Sequence, residues 1–285
     1  MPQVLYPYTI TDAVLTSSSV PETDHAAWVS GTTYAAGDRV IRTGTHRIYE
    51  RLIPGAGTTP PESDSTNWLD AAPTNRWAMF DGAVGTRTTA TTSISVTLNI
   101  PGAVNDIVLM DVTGSSISVT LPDASRSGVA VPASTLTGQG ALVQITGLAS
   151  AGGSCTVTLT GTGTVAIGII SIGTYTSVGN TCGVRLDLSD YSRKEFDAWG
   201  GLTITPRNYQ RRLTTPIEVA QTGVDQLMRV AAALRSTPAV WSGLSGIGSS
   251  VVWGHLKEAS VTMPGGATTL ATGSLTVQSM AMGGL

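Results

Sequence analysis

The sequence predicts a mainly β protein: a small aromatic β module, a central antiparallel β-sandwich, and a C-terminal antiparallel sheet with one short helix. Three observations predict it. The 285 residues include 33 Gly and 14 Pro among long runs of Thr, Ser, Val and Ala, a mixture that favours strands and turns over long helices. Period-two alternation is clear in SISVTL and ISVTL, where Ile, Val and Leu face a core while Ser and Thr face away. Helical spacing is confined to residues 224–236, where Val224, Leu227, Met228, Ala231 and Leu234 form one stripe.

Residues 1–23 alternate weakly, as in YTITDAVLTSSS, and read as an edge strand or an extended arm. Residues 24–72 form a module whose middle, DRVIRTG and HRIYERL around a tight turn at 43–45, reads as two short strands. So small a unit holds little aliphatic core, and its aromatics must supply one, aided by docking to the next domain. Residues 73–188 carry SISVTLNI, DIVLMDVT, ISVTLP, ALVQITGL, CTVTLTG and TVAIGIISI. Packing this run gives a sandwich of roughly seven or eight strands. GTVAIGIISIG departs from alternation and reads as one central strand covered on both faces. Residues 189–285 read as a small α+β closing domain involved in assembly. In it Ser236, Thr237 and Pro238 stop the helix, and AVWSG, SVVWGHLKEASVTM and TLATGSLTVQSM return to strands.

Formal net charge is −3, only 12% of residues are charged, and no stretch gathers Lys and Arg into a strip with interleaved aromatics, so nucleic acid is not an expected partner. A surface of Ser, Thr and Gly leaves neutral area for assembly contacts. No run of twenty apolar residues predicts a membrane span, and the amino terminus lacks the basic-then-apolar pattern of a secretory signal. Cys155 and Cys182 are either two buried reduced thiols or a pair brought together by neighbouring strands.

Chemistry finds little purchase. His25, His46 and His255 are scattered outside any metal-ligand spacing, and neither a phosphate loop nor a nucleophile elbow occurs, so no metal, cofactor or enzymatic activity is expected. A glycosidase needs two facing carboxylates, and nothing selects a pair from Asp64, Asp70, Asp81 and Asp106. These acids suit turns and caps. Asp81, in FDGAVGT, suits the backbone amides of its own loop. The sharpest local signal is Trp28, Tyr34, Tyr49 and Trp68, which either build the module's core or offer flat faces to sugar rings.

The order of Trp28, Tyr34, the Gly37-Asp38-Arg39-Val40 turn, Gly44, Tyr49, Pro60 or Pro61 and Trp68 resembles a chitin-binding-like module of the carbohydrate-binding family 5/12 type. That resemblance covers about 45 residues and implies Trp28, Tyr34, Tyr49 and Trp68 as carbohydrate-binding candidates. Arg47, Glu50 and Arg51 beside Tyr49 depart from secreted chitinase modules. NRWAMFDG looks like the opening of galactose-binding-like or discoidin-like sandwiches, with Asn75, Trp77 and Asp81 at a possible ligand end, and the sandwich is expected to be galactose-binding-like or jelly-roll-like.

Taken with the later DLSDYSRKEFDAWGGLTITPRNYQRRLTTPIEV, TPAVWSG and VVWGHLKEASV, the whole chain resembles structural proteins of the bacteriophage tail tip or baseplate. The resemblance implies a virion component of the distal tail, made in the host cytoplasm. Its partners would be other tail or baseplate proteins, copies of itself and host-surface glycan. Arg193, Lys194, Arg207, Arg211 and Arg212 are the candidate assembly contacts. A carbohydrate-binding adhesin is the alternative, and a polysaccharide-cleaving enzyme the remote one.

Overall fold

A computed structural model describes residues 1–133, 140–181, 183–244, 246–265 and 269–280. The fold is mainly β, with several antiparallel sheets, one of them curled into a half-barrel, and one short helix near the C-terminus. In chain order, β1 (Gln3–Pro7) and β2 (Leu15–Ser18) precede the aromatic module. The module holds β3 (Thr33–Tyr34), β4 (Arg39–Arg42), β5 (Arg47–Arg51), β6 (Gly55–Ala56) and β7 (Trp68–Pro73). There follow β8 (Thr88–Ile100), β9 (Asp106–Val112), β10 (Ser116–Thr120), β11 (Ser125–Ala130), β12 (Ala141–Ile145), β13 (Gly153–Ile167) and β14 (Ile169–Ser177). The remainder comprises β15 (Arg185–Asp190), β16 (Arg193–Phe196), β17 (Leu202–Thr205), β18 (Tyr209–Ala220), α1 (Val224–Ala233), β19 (Ala239–Ser242), β20 (Val251–Thr262) and β21 (Leu270–Ser279).

Two sheets dominate. A five-stranded sheet runs β11-β10-β13-β8-β2, and a nine-stranded sheet runs β12-β9-β14-β1-β19-β20-β21-β18-β15. Alternation explains how they meet: Ile94, Val96 and Leu98 of β8 and Cys155, Val157 and Leu159 of β13 turn inward to meet Ile107 and Leu109 of β9 and Ile170 and Ile172 of β14 in one buried core. Further along the same face of the nine-stranded sheet, α1 lays Leu227 and Ala231 over Leu213, Ile217, Leu275 and Val277. The reverse face gathers Leu5, Val108, Ile169, Val240 and Trp253. Single-residue alternation, Val4 one way and Leu5 the other, thus commits β1 to two cores.

Three readings of the sequence change. The segment 163–173 is buried from Val165 onward, but it is two strands rather than one: the chain leaves the five-stranded sheet at Ile167, turns at Gly168 and joins the nine-stranded sheet at Ile169. A side chain at Gly168 would crowd Asp111, so only glycine fits the turn. The first strand, expected at an edge or as an arm, lies inside the nine-stranded sheet between β14 and β19, while β2 is the edge of the smaller sheet. Helix α1 ends at Ala233, ahead of Ser236, with Leu234 as its cap. The nine-stranded sheet is also continuous across residues 188 and 189, which β15 straddles.

Cys155 faces the core, where burial pushes its thiol up to about 11. Cys182 lies outside the described residues. With so little thiolate at neutral pH, Cys155 is expected to alkylate only after unfolding. Peptide mapping of iodoacetamide-treated native and urea-unfolded protein checks this: labelling of the Cys155 peptide in the native sample would contradict it.

Candidate functional site

The aromatic module is organised around Val40, Tyr49 and Trp68. Val40 and Tyr49 are register partners across β4 and β5, and Arg51 pairs with Trp68 across β5 and β7. Gly37, at φ 88°, turns the chain into β4, and Asp38 holds that turn by accepting the Ala35 N–H at 2.7 Å. Tyr49 and Trp68 are only 5% and 3% exposed. They present no ring to a sugar, because the module has too few aliphatics to fill its centre otherwise. Trp28 and Tyr34 are half-buried around them, Tyr34 edge-on to Trp68 with centroids 5.2 Å apart. Arg42 lies over Trp28 at 5.1 Å and is held there by a forked pair with Glu62 at 2.7 and 3.0 Å. That hydrogen-bonded pair draws the Glu62 carboxyl below its ordinary range.

The module is fastened to the body through His46. This residue sits at φ 56° in the turn between β4 and β5, and its ring stacks on Trp77 with centroids 3.9 Å apart. Its Nδ1 lies 3.1 Å from Glu22 Oε1 and its Nε2 3.2 Å from Asp12 Oδ2. A neutral imidazole has one N–H to give, so only the imidazolium donates to both carboxylates. Glu22 Oε1 also accepts Thr74 Oγ1 at 3.0 Å, and the Thr74 N–H donates to the His46 carbonyl at 2.9 Å.

Beside this clasp is a cleft of about 360 Å³ lined by residues 10–12 and 44–47 together with Pro73, Trp77, Phe80 and Asp81. Trp77 and Asp81 thus line the cleft, whereas Asn75 is committed elsewhere: its Oδ1 accepts the Thr89 N–H at 2.7 Å and its Nδ2 donates to the Thr89 carbonyl at 2.9 Å, pinning the start of β8. Asp81 holds its own loop, accepting Ala83 N–H at 2.8 Å and Thr86 Oγ1 at 3.0 Å. Burial raises its carboxyl above the ordinary range, and the two hydrogen bonds and Arg47 offset this only in part. An acid whose folded pKa is raised contributes stability at low pH that is lost as pH climbs through the folded value. Asp81→Asn is therefore expected to raise the melting temperature at pH 7 relative to the parent. The gain should fade towards pH 3, and a constant gain across that range would contradict the desolvation.

At the far end of the nine-stranded sheet, the β15–β18 pair continues outward as the β16–β17 hairpin. Every residue from 193 to 208 is exposed. Lys194 pairs with Ile204 and Phe196 with Leu202 on one face of this arm, while Arg193–Thr205 and Glu195–Thr203 occupy the other. Its tip is a built turn: Asp197 Oδ1 accepts the N–H groups of Trp199 at 2.9 Å and Gly201 at 2.6 Å, with Gly200 at φ 82°. Phe196 is 74% exposed and Trp199 94%.

Of the five candidate assembly residues, Arg193 pairs with Glu195 and Lys194 with Asp190 at 2.8 Å, both on the arm. Arg207 is exposed at the arm's return, where its N–H donates to Ser192 Oγ at 3.1 Å. Arg211 and Arg212 lie back on β18, where each Nε is buried without a hydrogen-bond partner. Burial lowers the pKa of Arg211. Arg212 lines a polar groove of about 240 Å³ with Arg185, Asp187 and Lys257. Among the described residues, no three His, Cys, Asp or Glu side chains converge as a metal site would require.

Two features escaped the sequence. The Asp12–His46–Glu22 clasp unites residues with no pattern between them. The arm tip did leave a signal, an Asp-x-x-Gly-Gly turn in DAWGG between RKEF and LTIT. No family model matches the chain, and no curated protein or solved structure matches it either.

Proposed function

We propose that this chain is a non-enzymatic structural subunit of a phage tail tip or baseplate that works by binding copies of itself and neighbouring tail proteins. The observation that carries the reading is the arm, which holds Phe196 and Trp199 in water on a well-made turn. An ordered turn presenting two large aromatic rings has the chemistry of an interface anchor. The tail setting, the virion location and the host-glycan contact rest on the order of sequence segments described above. On this reading the two facing sheets are a galactose-binding-like or jelly-roll-like sandwich kept for its packing, and residues 24–72 are a family 5/12-type module. Cryo-electron microscopy of the native particle tests it. We expect the chain as a ring at the distal tail with Trp199 covered by protein, and particles that lack the chain would overturn the proposal.

A second reading is a carbohydrate-binding adhesin, favoured by the half-exposed Trp28 and Tyr34 rings. Its measure is depletion of the protein from solution by insoluble host cell-wall polysaccharide. The adhesin reading expects depletion that Trp28→Ala abolishes, and no depletion would remove it.

A further inference from the structure

We propose that copies of this chain join head to tail, Trp199 of one copy seating in the cleft between the aromatic module and the body of the next. The inference rests on the assembly reading above and names the contact that would carry it. Trp199 is 94% exposed, yet its backbone is fixed by the two hydrogen bonds to Asp197. A backbone already ordered before contact loses less freedom on binding, which is how an anchor residue is prepared. An indole needs a concavity.

Two concavities among the described residues differ in chemistry. The groove at Arg212 is lined by Arg185, Asp187, Lys257, Glu258 and threonines, with no apolar side chain to receive a ring. The cleft at the module junction is larger, about 360 Å³, and Ile10, Pro73, Trp77 and Phe80 give it an apolar and aromatic lining. Its rim carries both signs, Asp12 and Asp81 beside Arg47. So does the arm, with Arg193 and Lys194 beside Glu195 and Asp197. Mixed charge on both surfaces suits protein against protein. The two acids flanking Phe196 count against a polyanion or an anionic membrane as the occupant.

Because arm and cleft are different surfaces of one chain, the contact is heterologous and propagates into a ring or a filament, unlike a two-fold dimer. Since residues of both module and body line the cleft, an incoming indole would also clamp the module against the body.

The experiment is light scattering and sedimentation of the full chain over a concentration series, with two complementary variants. Trp199→Ser removes the tip. Gly44→Trp fills the cleft, since Gly44 lines it, has ordinary backbone angles and has open space around its missing side chain. We expect the parent to grow beyond monomer with concentration and each variant alone to associate about 30-fold more weakly or worse. Mixed together, the variants have one working tip and one open cleft between them, so they should stop at a heterodimer. Melting curves confirm that both fold. A parent that stays monomeric at its solubility limit overturns self-assembly through this contact but leaves the tail-subunit reading to the particle reconstruction. Oligomers that survive in both variants keep self-assembly and overturn the arm–cleft contact.

Discussion

Gly152→Val is expected to lower stability by about 3 kcal/mol or more, measured as a shift in urea or thermal unfolding. The reason is where the chain changes sheets. It crosses from β8 to β9 through residues 101–105 and from β12 to β13 through residues 146–152, and the two crossings touch. Val104 and Ser150 exchange backbone hydrogen bonds at 2.9 and 3.0 Å, and Asp123 ties down the second crossing through Ser150 Oγ and the Ala151 N–H. Gly152 adopts φ 105°, which an L side chain rarely takes, and a Cβ there would press into the Gly102 and Ile100 carbonyls. Both neighbours are backbone and cannot swing aside. Gly57→Ala, at ordinary φ with nothing nearby, is the control and should change stability by no more than about 0.5 kcal/mol. Equal losses at both positions would show that the crossing is not strained as described.

His46→Ala should release the aromatic module while the body stays folded. Glu22 has 10% of its side chain exposed and would keep only Thr74 as a partner, and Trp77 would lose the ring stacked upon it. Leaving a buried carboxylate short of a partner costs about 1–3 kcal/mol, enough to populate the undocked arrangement but not to unfold the sheets. Limited proteolysis should then cut faster in residues 11–24 and 73–76, with hydrogen exchange in β8 and β13 unchanged. Exchange that accelerates uniformly would mean that His46 supports the whole body.

Much of the architecture was legible in the pattern. Strands β8 and β10 fall where alternation in SISVTLNI and ISVTLP puts them, because one face of each is buried in a shared core, and β9 and β12 fall on the apolar runs DIVLMDVT and ALVQITGL. Strand β11, SRSGVA, was not legible: it is exposed along nearly its whole length at a sheet edge, so no burial imprinted a period on it. Residues 165–173 misled for the opposite reason, since they are buried throughout on either side of Gly168 and a nearly unbroken apolar run hides the change of sheet. The module's aromatics were legible as a cluster, but which rings face inward depends on register across β4, β5 and β7, which composition does not carry. Trp199 carries no periodic signal, because it and Phe196 stand exposed in a polar run, although the turn residues around it mark the place.

The position of β1 has a consequence for the order in which the molecule is made. Gln3–Pro7 is hydrogen-bonded on one side to β14 and on the other to β19, and among the described residues it is the strand that joins, within the nine-stranded sheet, the strands before residue 178 to those after residue 184. Emerging from the ribosome early, this short segment finds its first neighbour after residue 177 is made and its second only after residue 242. The large sheet is therefore closed late, by a strand synthesised well before either of its neighbours, and until then its two halves are separate sheets with bare edges.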